Sequence, residues 1–513
     1  MMEFIGPALL HLIEPLNIFL MVVGLTGGII VGALPGLTAT MGVALMVPAT
    51  FAMNPTSGLI MLGAIYVGAI YGGSNSACLI CTPGTPSSVA TTFDGWPMCQ
   101  SGRADFALYT SLIASALGGF IGTFGLLFLA APLARFALSF GGPENFWLCI
   151  FGLSTIAVMS TDNMVKGVLS GILGILISTI GLDPNAGVPR FIFGYYPLVQ
   201  GIEVIPAMIG LFSFSQVLVL IGSNRTYIAE FKPTKGAFTQ VFKEMMTKCK
   251  VVLLRSSIIG GIVGMLPGAG GEIASIIAYN ESKRWSKHPE KYGTGIIQGV
   301  VSSESANNAV IGGALIPMLT LGIPGSAVAA VILGALLAKG IQPGFNVFST
   351  TGDLAYTFIF SQFAVNLLML PVGYLLAKIM AKLLSLRLTF VAIAIVMLSV
   401  IGSYAINNSM LDVWVVLIFG VVGYFASRVS LNTGAMALGI ILGPMIEENL
   451  GKCVNLSSAM GGSVFDVFVA SKISVLLIIM TVLSFISPFI LSRVKKKDAT
   501  CACETAQKED HHA

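Results

Sequence analysis

Four short segments concentrate the residues that could bind a small charged solute. Each sets a proline and a glycine inside an apolar run: Leu34-Pro35-Gly36-Leu37-Thr38, Cys81-Thr82-Pro83-Gly84-Thr85, Leu266-Pro267-Gly268-Ala269-Gly270 and Gly322-Ile323-Pro324-Gly325-Ser326. Proline donates no backbone hydrogen bond and pushes the residue before it out of the helical region; the glycine after it permits turns closed to other residues. A helix is therefore expected to stop at each motif. The next helix begins with unpaired N–H groups and a partial positive charge, which suits an anionic group. Carbonyls freed on the other side suit a small cation such as Na⁺.

Hydroxyl and amide side chains gather around these breaks. As single residues they also serve helix packing in membranes; as clusters at paired breaks they mark a site. The candidate substrate-binding residues are Pro35, Gly36, Thr38, Ser74, Asn75, Ser76, Pro83, Gly84 and Thr85 in the first half of the chain. In the second half they are Pro267, Gly268, Gly270, Asn307, Asn308, Pro324, Gly325 and Ser326.

Carboxylates inside a membrane are costly and point to function. Glu304, in Ser302-Ser303-Glu304-Ser305-Ala306-Asn307-Asn308, is the ion-coupling candidate. It could carry a proton, help to bind a cation, or pair within the bundle. Glu272, just after the third break, is a weaker candidate. Asp94 and Arg103 flank Phe93-Asp94-Gly95-Trp96-Pro97, which reads as an interfacial loop, and Glu447, Glu448 and Asp466 also read as loop residues. Lys339 and Lys378 are expected at span ends, where long basic side chains reach for water.

Nothing in the chain suggests catalysis, a cofactor or a metal centre. There is no His-Glu-x-x-His motif and no glycine-rich phosphate loop. The four histidines, His11, His288, His511 and His512, fall in expected loops or tails. The pair Cys78-x-x-Cys81 sits in an apolar run with no histidine nearby, so both read as small buried hydrophobes.

The elements that must position these residues are membrane spans. Of the 513 residues, 55% are hydrophobic and 10% charged, with a mean hydropathy of +0.89; soluble proteins carry about 25% charged residues. Stretches such as Ile18–Leu34, Phe106–Leu133, Val165–Ile180, Leu388–Ile401 and Ile473–Leu491 are apolar and near the length, about 20 residues, that crosses a bilayer. About 10–12 transmembrane helices are expected in an all-α integral membrane protein. The N-terminal segment lacks a positive region before its apolar run, so it is expected to remain as a span rather than be cleaved. The net charge of +4 reflects loops and implies no nucleic-acid partner.

Basic residues set the orientation. No Lys or Arg precedes Arg103, eleven of the 27 lie from Arg225 to Lys291, and five lie from Arg493 to Lys508. Positive charge collects in short cytoplasmic loops. The Asn224–Lys250 loop, the Glu281–Lys291 loop and the C-terminus are therefore expected in the cytoplasm, and the N-terminus in the periplasm. The segment Val251–Asn280 between those loops must enter the membrane and return, as a hairpin broken at its third Pro-Gly motif. The resulting division is a first membrane half at 1–222, a basic loop at 223–250, a second half at 251–492 and a polar tail at 493–513.

The halves are related. Gly28-Ile29-Ile30-Val31-Gly32-Ala33-Leu34-Pro35-Gly36 matches Gly260-Gly261-Ile262-Val263-Gly264-Met265-Leu266-Pro267-Gly268 at an offset of 232. The run from Tyr71-Gly72-Gly73 to Pro83-Gly84-Thr85 matches Gly312-Gly313-Ala314 to Pro324-Gly325-Ser326 at 241. The Glu281–Lys291 loop accounts for the difference. Its first-half counterpart, Met53-Asn54-Pro55-Thr56, is uncharged, as an inverted repeat with the two turns on opposite sides would require. Transporters with inverted repeats bind substrate at the repeat interface near the midplane.

At these motifs the sequence resembles the large membrane subunit of the tripartite tricarboxylate transporters, over nearly its whole length. The most specific segments are Gly32 to Thr38, Tyr71 to Pro86, Asp94-Gly95-Trp96-Pro97 with Gly102-Arg103-Ala104, and Glu304 to Ala309 with Leu315-Ile316-Pro317 and Leu319 to Ser326. The resemblance implies a multi-pass protein of the bacterial inner membrane. It implies a secondary importer of carboxylates such as citrate, driven by a Na⁺ or H⁺ gradient. It also implies two partners, a periplasmic solute-binding protein and a small four-span membrane subunit. One departure is the cysteines at Cys78 and Cys81, where the family tends to place aliphatic or amide residues. The competing classes are a passive anion channel, which would more often show charge rings or carbonyl filters, and an intramembrane enzyme.

Overall fold

The computed structural model describes residues 2–34, 37–159, 164–220, 234, 236–268, 270–380 and 388–486. Of the site candidates, Pro35 and Gly36 lie outside the described residues, as do much of the basic loop and the polar tail. Apart from a two-stranded hairpin pairing Gly181–Leu182 with Pro189–Arg190, the described secondary structure is helical. Among the described residues, five helices are long and apolar enough to cross a membrane: Pro15–Ala33, Pro55–Ile80, Ala104–Ala137, Gly352–Ala377 and Met410–Arg428. Shorter apolar helices, among them Ala39–Phe51 and Ala327–Ala338, accompany them. The chain is an all-α membrane protein.

Helices stop where proline and glycine require it. Pro15–Ala33 gives way to Ala39–Phe51, Pro55–Ile80 to Val89–Gln100, Lys250–Met265 to Gly270–Arg284, and Ile297–Leu321 to Ala327–Ala338. The breaks match in pairs. Leu34 and Leu266 close their helices with the same extended geometry, φ −77° and ψ 119° against φ −81° and ψ 119°. Cys81 and Gly322 close the other pair in the left-handed region, at φ 53° and 70°. Gly84 N–H donates to the Gly73 carbonyl at 3.1 Å, and Gly325 N–H to Ala314 at 3.4 Å. The spacing seen in the sequence is thus repeated in main-chain geometry.

Small residues let these helices touch. A Cβ on Gly28, Gly68 or Gly72 would strike main-chain atoms where Pro15–Ala33 crosses Pro55–Ile80, and one on Gly260 or Gly313 would do so where Lys250–Met265 crosses Ile297–Leu321. The halves interlock as well: Ala104–Ala137 lies along Ile297–Leu321, with Gly118 and Gly122 against the main chain at Ser305 and Ala309. Among the largest wholly buried side chains are Tyr66, Tyr71, Tyr109 and Tyr356.

Several expectations need correction. Asp94-Gly95-Trp96-Pro97 is helical, inside Val89–Gln100, and Asp94 is wholly buried rather than interfacial. Glu447 and Glu448 belong to the helix Thr433–Met460. There Glu447 receives the guanidinium of Arg190 from the β-hairpin, at 2.5 and 2.9 Å. Asp466 lies in the first turn of Val464–Val469, where it forms a capping box with Ser463. Within the basic loop, Ala237–Glu244 is helical and runs through a π segment, Met245–Cys249, into Lys250–Met265. Cys81 is exposed, unlike the buried Cys78. Lys339 and Lys378 do stand at helix C-caps.

Candidate functional site

All four breaks open onto one cavity of about 330 Å³, at the small end of the range for small-molecule sites. Its wall takes Thr38 and Thr40 from the first break, Thr85 and Ser87 from the second, Gly268, Gly270 and Glu272 from the third, and Ser326 from the fourth. Each of those breaks is followed by a helical segment pointing away from the cavity, so helix N-termini face inward. Their first N–H groups have no acceptor within the helix. Thr38 and Ser326 cap two of these helices, accepting from Met41 N–H and Ala329 N–H, both at 3.2 Å.

Another helix start completes the wall. Thr433–Met460 begins at Asn432, whose side chain accepts from Ala435 N–H at 3.0 Å, and Asn432, Thr433 and Gly434 line the cavity. The Asn432 amide nitrogen is buried with no hydrogen-bond partner. Leu211 and Phe212 close the apolar side from the π segment Ile209–Phe214. Tyr66 reaches across from the first half to the Ser326 hydroxyl at 3.0 Å.

The electrostatics of this wall are unusual for an anion site. Among the described lining residues there is no Lys, Arg or His, and the one ionisable acid is Glu272. Positive potential in this wall comes from helix ends, each worth to a nearby negative charge about 0.3–1 kcal/mol and up to about 2 when partly buried. Donors are supplied by hydroxyls and by the Asn432 amide. Glu272, in the first turn of Gly270–Arg284, already places a negative charge at one of those ends.

Other candidates stand behind the wall. The Asn307 amide oxygen and Ser87 Cβ both lie 2.7 Å from where a Cβ on Gly271 would be, so the two halves meet over that glycine. Asn75 and Asn307 are buried with neither amide atom hydrogen-bonded, and Asn308 donates to the Glu304 carbonyl at 3.2 Å. Ser74 and Ser76 are buried within Pro55–Ile80. Pro83, Gly84, Pro267, Pro324 and Gly325 shape the breaks without lining the cavity; Gly325 accepts from Gly268 N–H at 3.2 Å. Glu304 is wholly buried away from the cavity, bound by the hydroxyls of Thr91 and Ser115.

Tyr66, Gln216, Ser427, Asn432 and Thr433 line the cavity without having been singled out in the sequence. Asn432-Thr433-Gly434 does carry a signal, an N-cap asparagine just before an apolar run. Tyr66 and Gln216 carry none, because nothing local marks which face of a buried helix meets a cavity.

Broken helices arranged around a polar cavity inside a membrane protein define a class, the solute carriers built on interrupted helices. The chain belongs to the tripartite tricarboxylate transporter TctA family, whose model matches residues 18–438. It is 36% identical over 445 residues, 87% of this chain and 88% of the relative, to an uncharacterized 52.8 kDa protein in the TAR-I ttuC' 3' region of Agrobacterium vitis. A second Agrobacterium vitis protein, from the TAR-II ttuC' 3' region, is 38% identical over 198 residues, covering 39% of this chain and 82% of that relative. No solved structure matches the chain. Membership makes the chain a membrane subunit of a tripartite transporter.

Proposed function

We propose that this chain is the permease subunit of a binding-protein-dependent, ion-coupled secondary importer of organic carboxylates of the citrate type. The observation that carries this reading is the meeting of all four breaks at one cavity rich in helix N-termini and hydroxyls. Such a wall suits a small oxyanion delivered from outside. A periplasmic solute-binding protein supplies the substrate, and a small four-span subunit completes the complex in the inner membrane. The basic loops face the cytoplasm and the N-terminus the periplasm. The two halves are inverted repeats, and a Na⁺ or H⁺ gradient drives uptake. The core bearing the breaks moves against the remaining spans, carrying the cavity from one side to the other.

The test is uptake of labelled carboxylates into vesicles containing both partners, with Na⁺ and pH varied separately. Thr85→Val and Ser326→Gly should each raise the half-saturating carboxylate concentration about tenfold, the loss of one hydrogen bond to a charged group worth about 1.5 kcal/mol. Glycine is chosen at Ser326 because it caps helices nearly as well as serine. Wild-type uptake curves for both variants would place the substrate elsewhere. Uptake that ignores both ion gradients would make the protein a passive anion channel.

A further inference from the structure

We infer that Glu304 anchors a binding site for a monovalent hard cation of the sodium type, set behind the Thr85–Ser87 wall of the cavity. The inference concerns a place distinct from the substrate cavity, and its coupling role rests on the importer reading.

Glu304 is wholly buried in Ile297–Leu321, and the hydrogen bonds to its carboxylate come from hydroxyl groups. Thr91, from Val89–Gln100, donates to one oxygen, and Ser115, from Ala104–Ala137, donates to the other at 2.8 Å. Ser303 shares a hydrogen bond with Thr91 at 3.2 Å. Ser74, from Pro55–Ile80, and Ser111 stand beside the carboxylate without forming a hydrogen bond of good geometry. Four helices drawn from both halves therefore meet at one acid. Among the described residues, no Lys or Arg side chain forms an ion pair with it.

A lone ionised carboxylate in such a place is too costly to persist, so a proton or a cation must accompany it. The number of oxygens decides between them. A carboxylic acid donates one hydrogen bond. Around Glu304, the Ser74 and Ser111 hydroxyls are buried without a hydrogen bond of good geometry, and one turn along the same helix the Asn308 amide oxygen is buried without a partner. The serine hydroxyls can turn to donate to the acid in either case; a hard cation in addition gathers several of these oxygens at once. Divalent ions call for more negative charge than one carboxylate supplies, and no group of three or more His, Cys, Asp or Glu side chains occurs among the described residues.

The position gives the cation something to control. Ser88, at the end of the Thr85–Ser87 wall, donates to the Gly73 carbonyl at 3.1 Å, and Ser74 follows Gly73. A cation held by Ser74, Thr91 and Glu304 would lock the arm Val89–Gln100 against Ile297–Leu321 and so fix the second break at the cavity edge.

The experiment is thermal unfolding of the purified full-length protein without carboxylate, in NaCl against choline chloride at equal ionic strength. Sodium should raise the midpoint saturably by a few degrees, as expected for a ligand that binds only the folded state. Glu304→Gln should abolish the rise. Ser115→Ala and Thr91→Val should move half-saturation to about tenfold higher sodium, and they decide the matter if Glu304→Gln does not fold. A wild-type midpoint indifferent to sodium overturns the site, as does an undiminished shift in the variants. Carboxylate uptake without any sodium shift would remove the cation site alone; a sodium shift in a protein that moves no carboxylate would remove the importer reading alone.

Discussion

Asp94→Ala is expected to cost the fold about 3–5 kcal/mol, because it strips a buried carboxylate from four donors at once. One oxygen of Asp94 accepts from the main-chain N–H groups of Gly293, Gly295 and Ile296 at 3.0, 2.8 and 2.9 Å. The other accepts from the Tyr279 hydroxyl at 2.9 Å. Ile296 is the N-cap of Ile297–Leu321 and cannot cap it with its own side chain. Asp94 performs that task from the other half of the protein, with its negative charge at the positive end of the helix. Gly299, one turn on, leaves room for it, since a Cβ there would collide with the carboxylate.

Alanine would leave the N–H groups of partly buried Gly295 and Ile296, that of exposed Gly293, and the buried Tyr279 hydroxyl without their acceptor. Asparagine keeps the shape and one good acceptor, so Asp94→Asn should lose about 1–2 kcal/mol, chiefly from the missing charge. Thermal midpoints in detergent, with protease cleavage in the Trp285–Gly295 loop as a second readout, check the order wild type, Asn, Ala. An alanine variant that melts with the wild type would show that the loop is held by something else.

Gly84→Ala and Gly325→Ala should each abolish uptake to within background and destabilise the protein by about 1–3 kcal/mol. At Gly84 a Cβ would meet the Gly32 carbonyl and lie 2.9 Å from Gly73 Cα. At Gly325 it would meet the Gly264 carbonyl and lie 2.7 Å from Ala314 Cα. These atoms are main chain and cannot turn aside as a flexible side chain could. The glycines occupy equivalent places in the two halves, so the substitutions should have matching effects. Vesicle uptake beside a melting curve measures both. A severe effect at one position with none at the other would sink the equivalence of the breaks.

Much of this architecture could be read from the sequence because proline and glycine act locally. Their effect on the residues beside them needs no knowledge of the rest of the fold, and the breaks appear where those motifs stand. The equivalence of Cys81 and Gly322 follows from the same offset, although a non-glycine residue in the left-handed region costs roughly 1–2 kcal/mol. Contacts between distant segments were not legible. Asp94 reads as part of a turn because Asp-Gly-Trp-Pro is rich in turn formers, yet all four hydrogen bonds it accepts come from residues nearly two hundred or more positions away. Glu447 likewise gains its meaning from Arg190, and Thr433 from four breaks that precede it in the chain. Asn75 and Asn307 show the converse: their type suggests ligands, but which layer of the wall they occupy depends on the packing of the whole bundle, and neither lines the cavity.

The lack of a basic side chain among the described residues that line the cavity has a kinetic side. A lysine or arginine gripping a carboxylate would have to be parted from it in every cycle, and charged hydrogen bonds of that kind are among the strongest a protein makes. Helix ends hold an anion more loosely and remain in place when it leaves. On the importer reading proposed above, a permease so lined would release quickly, leaving tight capture of a dilute solute to a soluble partner. Placing an arginine at Thr85 would then be an instructive failure: stronger retention, slower turnover.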